Sequence, residues 1–327
     1  TQETVYGCDG YWNICSGIYF QSFFIFQKKP KQQKTSERSP EQKLPGAFCS
    51  MEELMTDETY MRRALELAEK GAGWVSPNPL VGAVIVKDEE IIGEGYHERY
   101  GQLHAERNAL AHCTKSPKGA TIYVTLEPCC HHGKQPPCTD ALLAAGIRRV
   151  VIGSKDPNPL VHGKGIRILR EHGVEVTEHV LEKECDAENE VFFHYMQTKL
   201  PFVILKYAMT LDGKIATKTG ASKWITGESA RKEVQHMRHQ YMGIMAGIGT
   251  VLADDPMLNV RVEGWKSPVR IVCDSKLRIT PDSQIVKSAG KYRTIVAYAD
   301  WKNTEEKIKI LHTMGVETIC CPDEKNQ

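Results

Sequence analysis

Four side chains in this sequence have the types and spacing of a hydrolytic metal centre. His104 and Glu106 stand in an H-A-E triplet, and Cys129 and Cys138 belong to the stretch T-L-E-P-C-C-H-H-G-K-Q-P-P-C. One imidazole and two thiolates hold a zinc ion and leave its fourth position open for water. Glu106, two residues from His104, is too close in sequence to be a comfortable fourth ligand, yet near enough to move protons to and from that water. Zinc brings the pKa of bound water down to roughly 7, so hydroxide is available at neutral pH to attack an amidine carbon of a nucleobase-like ring. The competing reading is a closed structural zinc site that takes Cys130, His131 or His132 as its fourth ligand. Cys130 adjoins Cys129 and would point differently from it, so it reads as a bystander.

The elements around these residues alternate between strand and helix. Thr56 precedes a pattern that sets Met61, Ala64, Leu65 and Ala68 on one face, with Gly71 past its end, which predicts a capped amphipathic helix. Pro77 and Pro79 forbid helix in S-P-N-P-L, and Leu80 to Val86 is a buried-strand run whose hairpin partner is Ile91 to Tyr96. Helix is expected from His104 to about Cys113, strand from Ala120 to Leu126, helix from Pro137 to Ala145, strand from Arg148 to Gly153 and helix from Lys164 to His172. A layered α/β domain follows. It sets His104 and Glu106 at the start of one helix and Cys129 and Cys138 at or near the start of another, where the positive helix end favours thiolate.

At 327 residues two domains are expected. Lys plus Arg (42) nearly cancel Asp plus Glu (41), which argues against a nucleic-acid or anionic-membrane partner and for a small-molecule substrate. Three of the 11 cysteines crowd between 129 and 138, a pattern of metal chemistry in a reducing, cytoplasmic compartment. Residues 1–50 read as an extension and disordered linker. Ile14 to Phe26 is apolar but too short to span a bilayer, and the run from Lys28 to Pro45 is polar and broken by proline. Met51 opens ordinary globular texture, with an organelle leader in residues 1–50 as the alternative.

The pieces P-N-P-L-V-G (77–82), G-Y-H (95–97), H-A-E (104–106), L-E-P-C-C-H-H-G-K-Q-P-P-C (126–138) and D-P-N-P (156–159) make residues 51–197 resemble the deaminase half of the bacterial-type riboflavin biosynthesis bifunctional deaminase-reductase. General cytidine-type deaminases carry P-C-x-x-C, whereas eight residues separate Cys129 from Cys138, a spacing that resembles the riboflavin branch. The resemblance implies a cytidine-deaminase-like fold, with His104, Cys129 and Cys138 as zinc ligands and Glu106 as proton shuttle. It also implies a phosphoribosyl-pyrimidine substrate, 2,5-diamino-6-(5-phosphoribosylamino)pyrimidin-4-one, contacted by Asn78, His97, His131, Lys134, Asp156 and Asn158. Asn78 and Asn158 each lie between prolines and also suit plain turns.

A connecting helix is expected between Glu182 and Thr198, and Pro201 marks a boundary. Beyond it, strands are expected at Phe202 to Tyr207, Gly243 to Ala246, Val269 to Cys273, Thr294 to Tyr298 and Glu317 to Cys320, with helices at Ser229 to Tyr241 and Thr304 to Met314. Gly247 and Gly249 begin a dinucleotide fingerprint that fails at its third glycine, where Leu252 stands. The segments L-K-Y-A-M-T-L-D-G-K-I-A, S-K-W-I-T and G-I-G-T-V-L-A-D-D-P-M-L-N-V-R resemble the reductase half of the same family, so residues 198–327 are expected to hold a partial dihydrofolate-reductase-like α/β domain using NADPH. Carried over by resemblance, Ala208, Trp224, Thr250, Asp254 and Ser275 would face the cofactor. Lys206, Asp212, Ser222, Arg238, Leu258 and Arg261 would face the substrate, with the arginines suited to phosphate. Trp224 and Leu258 also suit core packing.

Family reductases continue past this point with more α/β units, including an E-G-G turn that this sequence lacks, which gives the expectation of deamination with poor or no reduction. Two further readings stand beside the bifunctional one: a tRNA or nucleotide deaminase, and a structural zinc module joined to a partner-binding scaffold. A homo-oligomer is compatible with all three.

Overall fold

The structure is a computed structural model, and it describes residues 22–23, 56–299 and 304–321. Apart from that first pair, the expectations for residues 1–50 and for a start at Met51 lie outside the described residues. The chain divides into two compact units, one ending at Leu200 and the other made of the residues from Pro201 on together with Ser22–Phe23. Elements are numbered along the chain. The two-residue strand β1 (Ser22–Phe23) pairs in parallel with β7 (Phe202–Val203).

The first unit is built on a five-stranded sheet in the order β3-β2-β4-β5-β6. Its strands are β2 (Gly82–Lys87), β3 (Glu90–Tyr96), β4 (Thr121–Leu126), β5 (Arg149–Ser154) and β6 (Glu175–Thr177). The hairpin β2–β3 and the pair β2–β4 are antiparallel, whereas β4–β5 and β5–β6 are parallel. Side chains alternate across a strand, and here both faces are apolar. Ala83, Ile85, Ile122, Val124, Val150 and Ile152 pack on one side with α2 (Ala105–Ala111), α3 (Cys138–Ala144) and α4 (Lys164–Glu171). Val84, Val86, Tyr123 and Val151 pack on the other with Tyr60, Met61, Ala64 and Leu67 of α1 (Asp57–Ala68) and Cys185 of α5 (Glu182–Glu188). The result is a three-layer α/β/α unit. Thr56 caps α1 by accepting from the Thr59 amide, and Asp57 takes a two-pronged ion pair from Arg149.

Small residues bring α2 against the sheet. A Cβ on Gly95 would lie 2.2 Å from the Ala109 amide nitrogen, so glycine there permits the direct seating of α2 on β3. Ala105 and Ala109 supply the opposing surface, both fully buried.

Three expected elements differ. The strand expected from Leu80 starts at Gly82, because the Leu80 amide and carbonyl are both taken by the side-chain amide of Asn189, at 2.8 Å each. The single connecting helix breaks at that same Asn189 into α5 and α6 (Glu190–Thr198). The strand Phe202 to Tyr207 stops as a ladder at Val203, since its partner is only two residues long.

The second unit carries a four-stranded, wholly parallel sheet in the order β11-β10-β9-β8, comprising β8 (Gly243–Gly247), β9 (Val269–Cys273), β10 (Thr294–Tyr298) and β11 (Val316–Cys320). Parallel strands read as near-continuous apolar runs because both faces are covered. One face holds the larger core, in which Ile244, Val272 and Val296 meet Ile248 and Val251 of α8 (Ile248–Asp254), Ile285 and Val286 of α9 (Gln284–Lys287) and Leu311 of α10 (Glu305–Thr313). Ile271 and Ile295 form a smaller cluster. Helix α7 (Glu228–Gln240) precedes β8. Arg270 is fully buried on β9, and its guanidinium donates to the carbonyls of Met257, Ile285 and Tyr292. Desolvation pushes its pKa down to about 10.

Candidate active site

His104 is the N-cap of α2 and Cys138 is the first residue of α3. Nδ1 of His104 lies 3.4 Å from Sγ of Cys129 and 3.5 Å from Sγ of Cys138. These three donor atoms lie within 4.8 Å of one another, the one such group among the described residues. Cys129 reaches α3 without belonging to it: its carbonyl accepts from the amides of Cys138 and Thr139, and its Sγ accepts from the Cys138 amide at 3.4 Å. Arg107, one turn into α2, donates to the carbonyls of Pro136 and Pro137, fixing the residues just before Cys138. The hydrogen bond from Cys138 holds Cys129 well below the ordinary thiol range. The neighbouring Cys129 raises Cys138 in turn. One imidazole and two soft sulfurs with an open side suit zinc.

Cys130 does not join this group. Its thiol faces the Leu160 carbonyl at 3.8 Å. His131 lines the cavity, with Nδ1 buried and without a hydrogen-bond partner among the described residues.

Glu106 is 4% exposed. Burial pushes its carboxyl up to about 7, the Cys129 thiolate adding to this and His104 opposing it. A group that gains and loses a proton near neutrality suits a shuttle.

The cavity in front of these residues measures about 250 Å³. All six substrate candidates of this unit line it: Asn78, His97, His131, Lys134, Asp156 and Asn158. His97 donates from Nδ1 to the Leu103 carbonyl at 2.9 Å, and burial lowers its pKa, so the ring is neutral and Nε2 is an acceptor. Asn78 Nδ2 is therefore the donor in the 3.0 Å contact with Nε2. Lys134 lies over the Tyr100 ring, 4.0 Å from its centroid, and Gln135 donates to the Gly101 carbonyl. Asp156 accepts from the Asn158 amide at 2.8 Å, and burial pushes its carboxyl up to about 6.

Four residues that shape this site had not been singled out from the sequence. Phe192 of α6 and Tyr100 line the cavity, Glu127 lines it beside Leu126, and Asn189 secures the loop that carries Asn78. Glu127 carried a readable signal, a carboxylate closing an apolar strand. Asn189 lies 109 residues from Leu80 and carried none.

The candidates of the second unit are more open. Lys206, Asp212, Trp224, Thr250, Asp254, Arg261 and Ser275 are exposed, whereas Ala208, Ser222 and Arg238 are half-buried. Trp224 is 66% exposed rather than in the core, and the Arg231 guanidinium covers its ring at 4.5 Å. Leu258 packs in the main core. Asp255 accepts from the Gln284 amide at the start of α9, which leaves Asp254 at the surface. Arg238 donates to the Asn259 carbonyl at 2.7 Å, while its Nε is buried without a hydrogen-bond partner among the described residues. Desolvation and then Arg261 push its pKa down to about 10, and Arg238 in turn bears on Lys206. Three cations within electrostatic reach, one with an unused buried N–H, suit an anion such as phosphate. Side chains built on Gly247 and Gly249 would meet nothing within 4 Å, so the junction of β8 and α8 is open to an approaching ligand.

Residues 54–154 match the family model described as the cytidine and deoxycytidylate deaminase zinc-binding region, and residues 201–322 match the RibD C-terminal domain. The riboflavin biosynthesis protein RibD of Actinobacillus pleuropneumoniae is 60% identical over 267 residues, which span 82% of this chain and 70% of that protein. RibD of Escherichia coli K12 is 45% identical over 287 residues, spanning 83% and 75%. Of solved structures, the diaminohydroxyphosphoribosylaminopyrimidine deaminase/5-amino-6-(5-phosphoribosylamino)uracil reductase of Thermotoga maritima superposes with a TM-score of 0.71 at 44% identity, covering 80% of each chain. Acinetobacter baumannii RibD gives 0.74 at 40% identity, covering 83% and 75%. The units thus have the cytidine-deaminase-like and dihydrofolate-reductase-like folds expected. No helix among the described residues is long and apolar enough to cross a membrane.

Proposed function

The chain belongs to the RibD family of bifunctional riboflavin-biosynthesis enzymes, and from that premise we propose which of its residues perform each step. The first domain, residues 51–197, deaminates diaminohydroxyphosphoribosylaminopyrimidine, the substrate in the name of the Thermotoga relative. His104, Cys129 and Cys138 hold zinc, which supplies, when bound, the Lewis acidity that makes water nucleophilic near neutral pH. Glu106 takes the proton of the attacking water and returns it to the departing amine, a role supported by its burial beside His104 and by a pKa near 7. Asn78, held by His97, orients the pyrimidine edge. Asp156 and Asn158 border the other side of the ring, and Lys134 and His131 suit the phosphoribosyl arm. The observation that carries this reading is the grouping of three metal donors within 4.8 Å, two of which, His104 and Cys129, line one cavity together with the buried Glu106 carboxylate.

The second domain, residues 198–327, reduces the ribosyl group with NADPH. Ala208, Trp224, Thr250, Asp254 and Ser275 face the cofactor. Ser222 and Asp212 border the substrate, Lys206, Arg238 and Arg261 take its phosphate, and Leu258 serves the core. Exposed apolar side chains at Leu205, Met209, Leu211 and Ile215 support association with a second copy, which sedimentation would measure. Thiols outside any disulfide and outside the metal site at Cys113, Cys130 and Cys185 support a reducing, cytoplasmic setting.

Incubating the protein with the diaminopyrimidine substrate, with and without NADPH, and reading product masses tests both domains. Replacement of an amine by oxygen without NADPH is the expected first product, and gain of two hydrogens with NADPH the second. No mass change in either arm would overturn the assignment.

A further inference from the structure

Glu127 closes β4 just before Pro128 and Cys129, and the proton transfers above leave it unused. It is 3% exposed, and both its oxygens are engaged by backbone. Oε2 accepts from the amides of Gly163 at 2.9 Å and Asp156 at 3.4 Å, and Oε1 accepts from Gly165 at 3.1 Å and Ile166 at 3.3 Å. Four amides lying 29 to 39 residues downstream therefore converge on one side chain. Three of them belong to the first turn of α4 or its cap, where a negative charge is stabilised by the helix dipole and by amides that have no carbonyl partner within the helix. The packing at this joint is close. A Cβ on Gly165 would lie 2.3 Å from the Pro128 carbonyl oxygen, so the start of α4 rests on the turn that carries Cys129.

The segment clamped at its two ends by Glu127 carries Asp156 and Asn158, both of which line the cavity. Its internal bonds give it shape: Asp156 accepts from the Asn158 amide, and Asn158 accepts from the Leu160 amide at 3.1 Å. Those bonds do not fix where the loop stands relative to the thiolates. The Glu127 carboxylate does.

We infer that Glu127 is a positioning residue: it holds residues 156–166 against the Cys129 turn, so that Asp156 and Asn158 meet the substrate in register with the metal ligands. This rests on the deaminase reading above. Charge-assisted hydrogen bonds are roughly twice as strong as neutral ones, which suits a carboxylate to this task.

Glu127→Gln keeps the shape but offers one carbonyl oxygen and one NH2, so amides on one side lose their acceptor. In the full-length zinc-loaded protein, the expected result is unchanged zinc content, kcat within about twofold, and KM for the diaminopyrimidine raised about tenfold. Amide hydrogen exchange should quicken at 156–166 and stay unchanged in β4. Unaltered KM and exchange would overturn the inference. So would loss of zinc together with kcat, because Glu127 would then serve the metal site. If Glu127→Gln does not fold, Gly165→Ala loosens the same joint with the carboxylate intact and must give the same KM and exchange changes; no change there also refutes the role. If the wild-type protein fails to deaminate, the functional reading falls, while the exchange comparison still decides the joint.

Discussion

The two units assemble their candidate residues in different ways. In the first, side chains from separate loops and the start of α2 surround one cavity of about 250 Å³, and the carboxylate among them is 4% exposed. In the second, most candidates stand exposed along the segment 206–224 and the junction after β8, and the half-buried Arg238 is the one whose electrostatics are strongly altered. Enclosure is what turns ordinary groups into reagents. Burial shifts Glu106 into the neutral range and keeps His97 uncharged, whereas an exposed Thr250 or Ser275 can only offer a hydrogen bond.

The sharpest test of that contrast is Glu106→Gln. It should lower deamination about 10³-fold with zinc content unchanged, because general acid–base catalysis is lost and the ligands remain. Ammonia release and metal analysis read this directly, and NADPH-dependent reduction of the pre-deaminated substrate should be unaffected.

Leu258 separates packing from binding in the second unit. Leu258→Ala should destabilise that unit by about 2–4 kcal/mol, the range for a leucine cut from a core, measured by denaturant unfolding. A stable variant with raised substrate KM would move Leu258 from the core to the site.

Arg238→Ala should raise KM for the reductase substrate about 30-fold and leave deamination kinetics intact, as expected for a lost charge-assisted phosphate contact. Equal losses in both reactions would break the separation between the units.

Asp156 gives an effect of definite sign. Burial holds its carboxyl at about 6, above the ~4 of an unfolded aspartate. The native state therefore binds the proton more tightly, and stability is lost as pH rises from about 4 through 6, by up to about 2–3 kcal/mol. Asp156→Asn should remove that slope, so wild type and variant should converge below pH 4 and the variant should be the more stable at pH 7.

What the sequence disclosed follows the same division. His104 with Glu106, and Cys129 with Cys138, are close enough in the chain that spacing alone announces a zinc site. The sheet of the first unit was legible because the runs at 82–87, 121–126 and 149–154 are apolar on both faces. Asn189 was not legible: it spaces two helices and replaces a strand partner for Leu80 through a contact that no local pattern encodes. The short ladder at β7 was overestimated because an apolar run of strand-forming residues says nothing about how long its partner is. Trp224 suited core packing by its size, yet its ring is covered by an arginine rather than by apolar neighbours.

The contact between Asn78 and His97 has a bearing on selectivity. One N–H of the Asn78 amide is committed to the imidazole, which leaves its second N–H and its carbonyl oxygen to meet a ring in the cavity. The imidazole thus fixes the direction in which the Asn78 amide faces, and with it the order of donor and acceptor that the pocket presents.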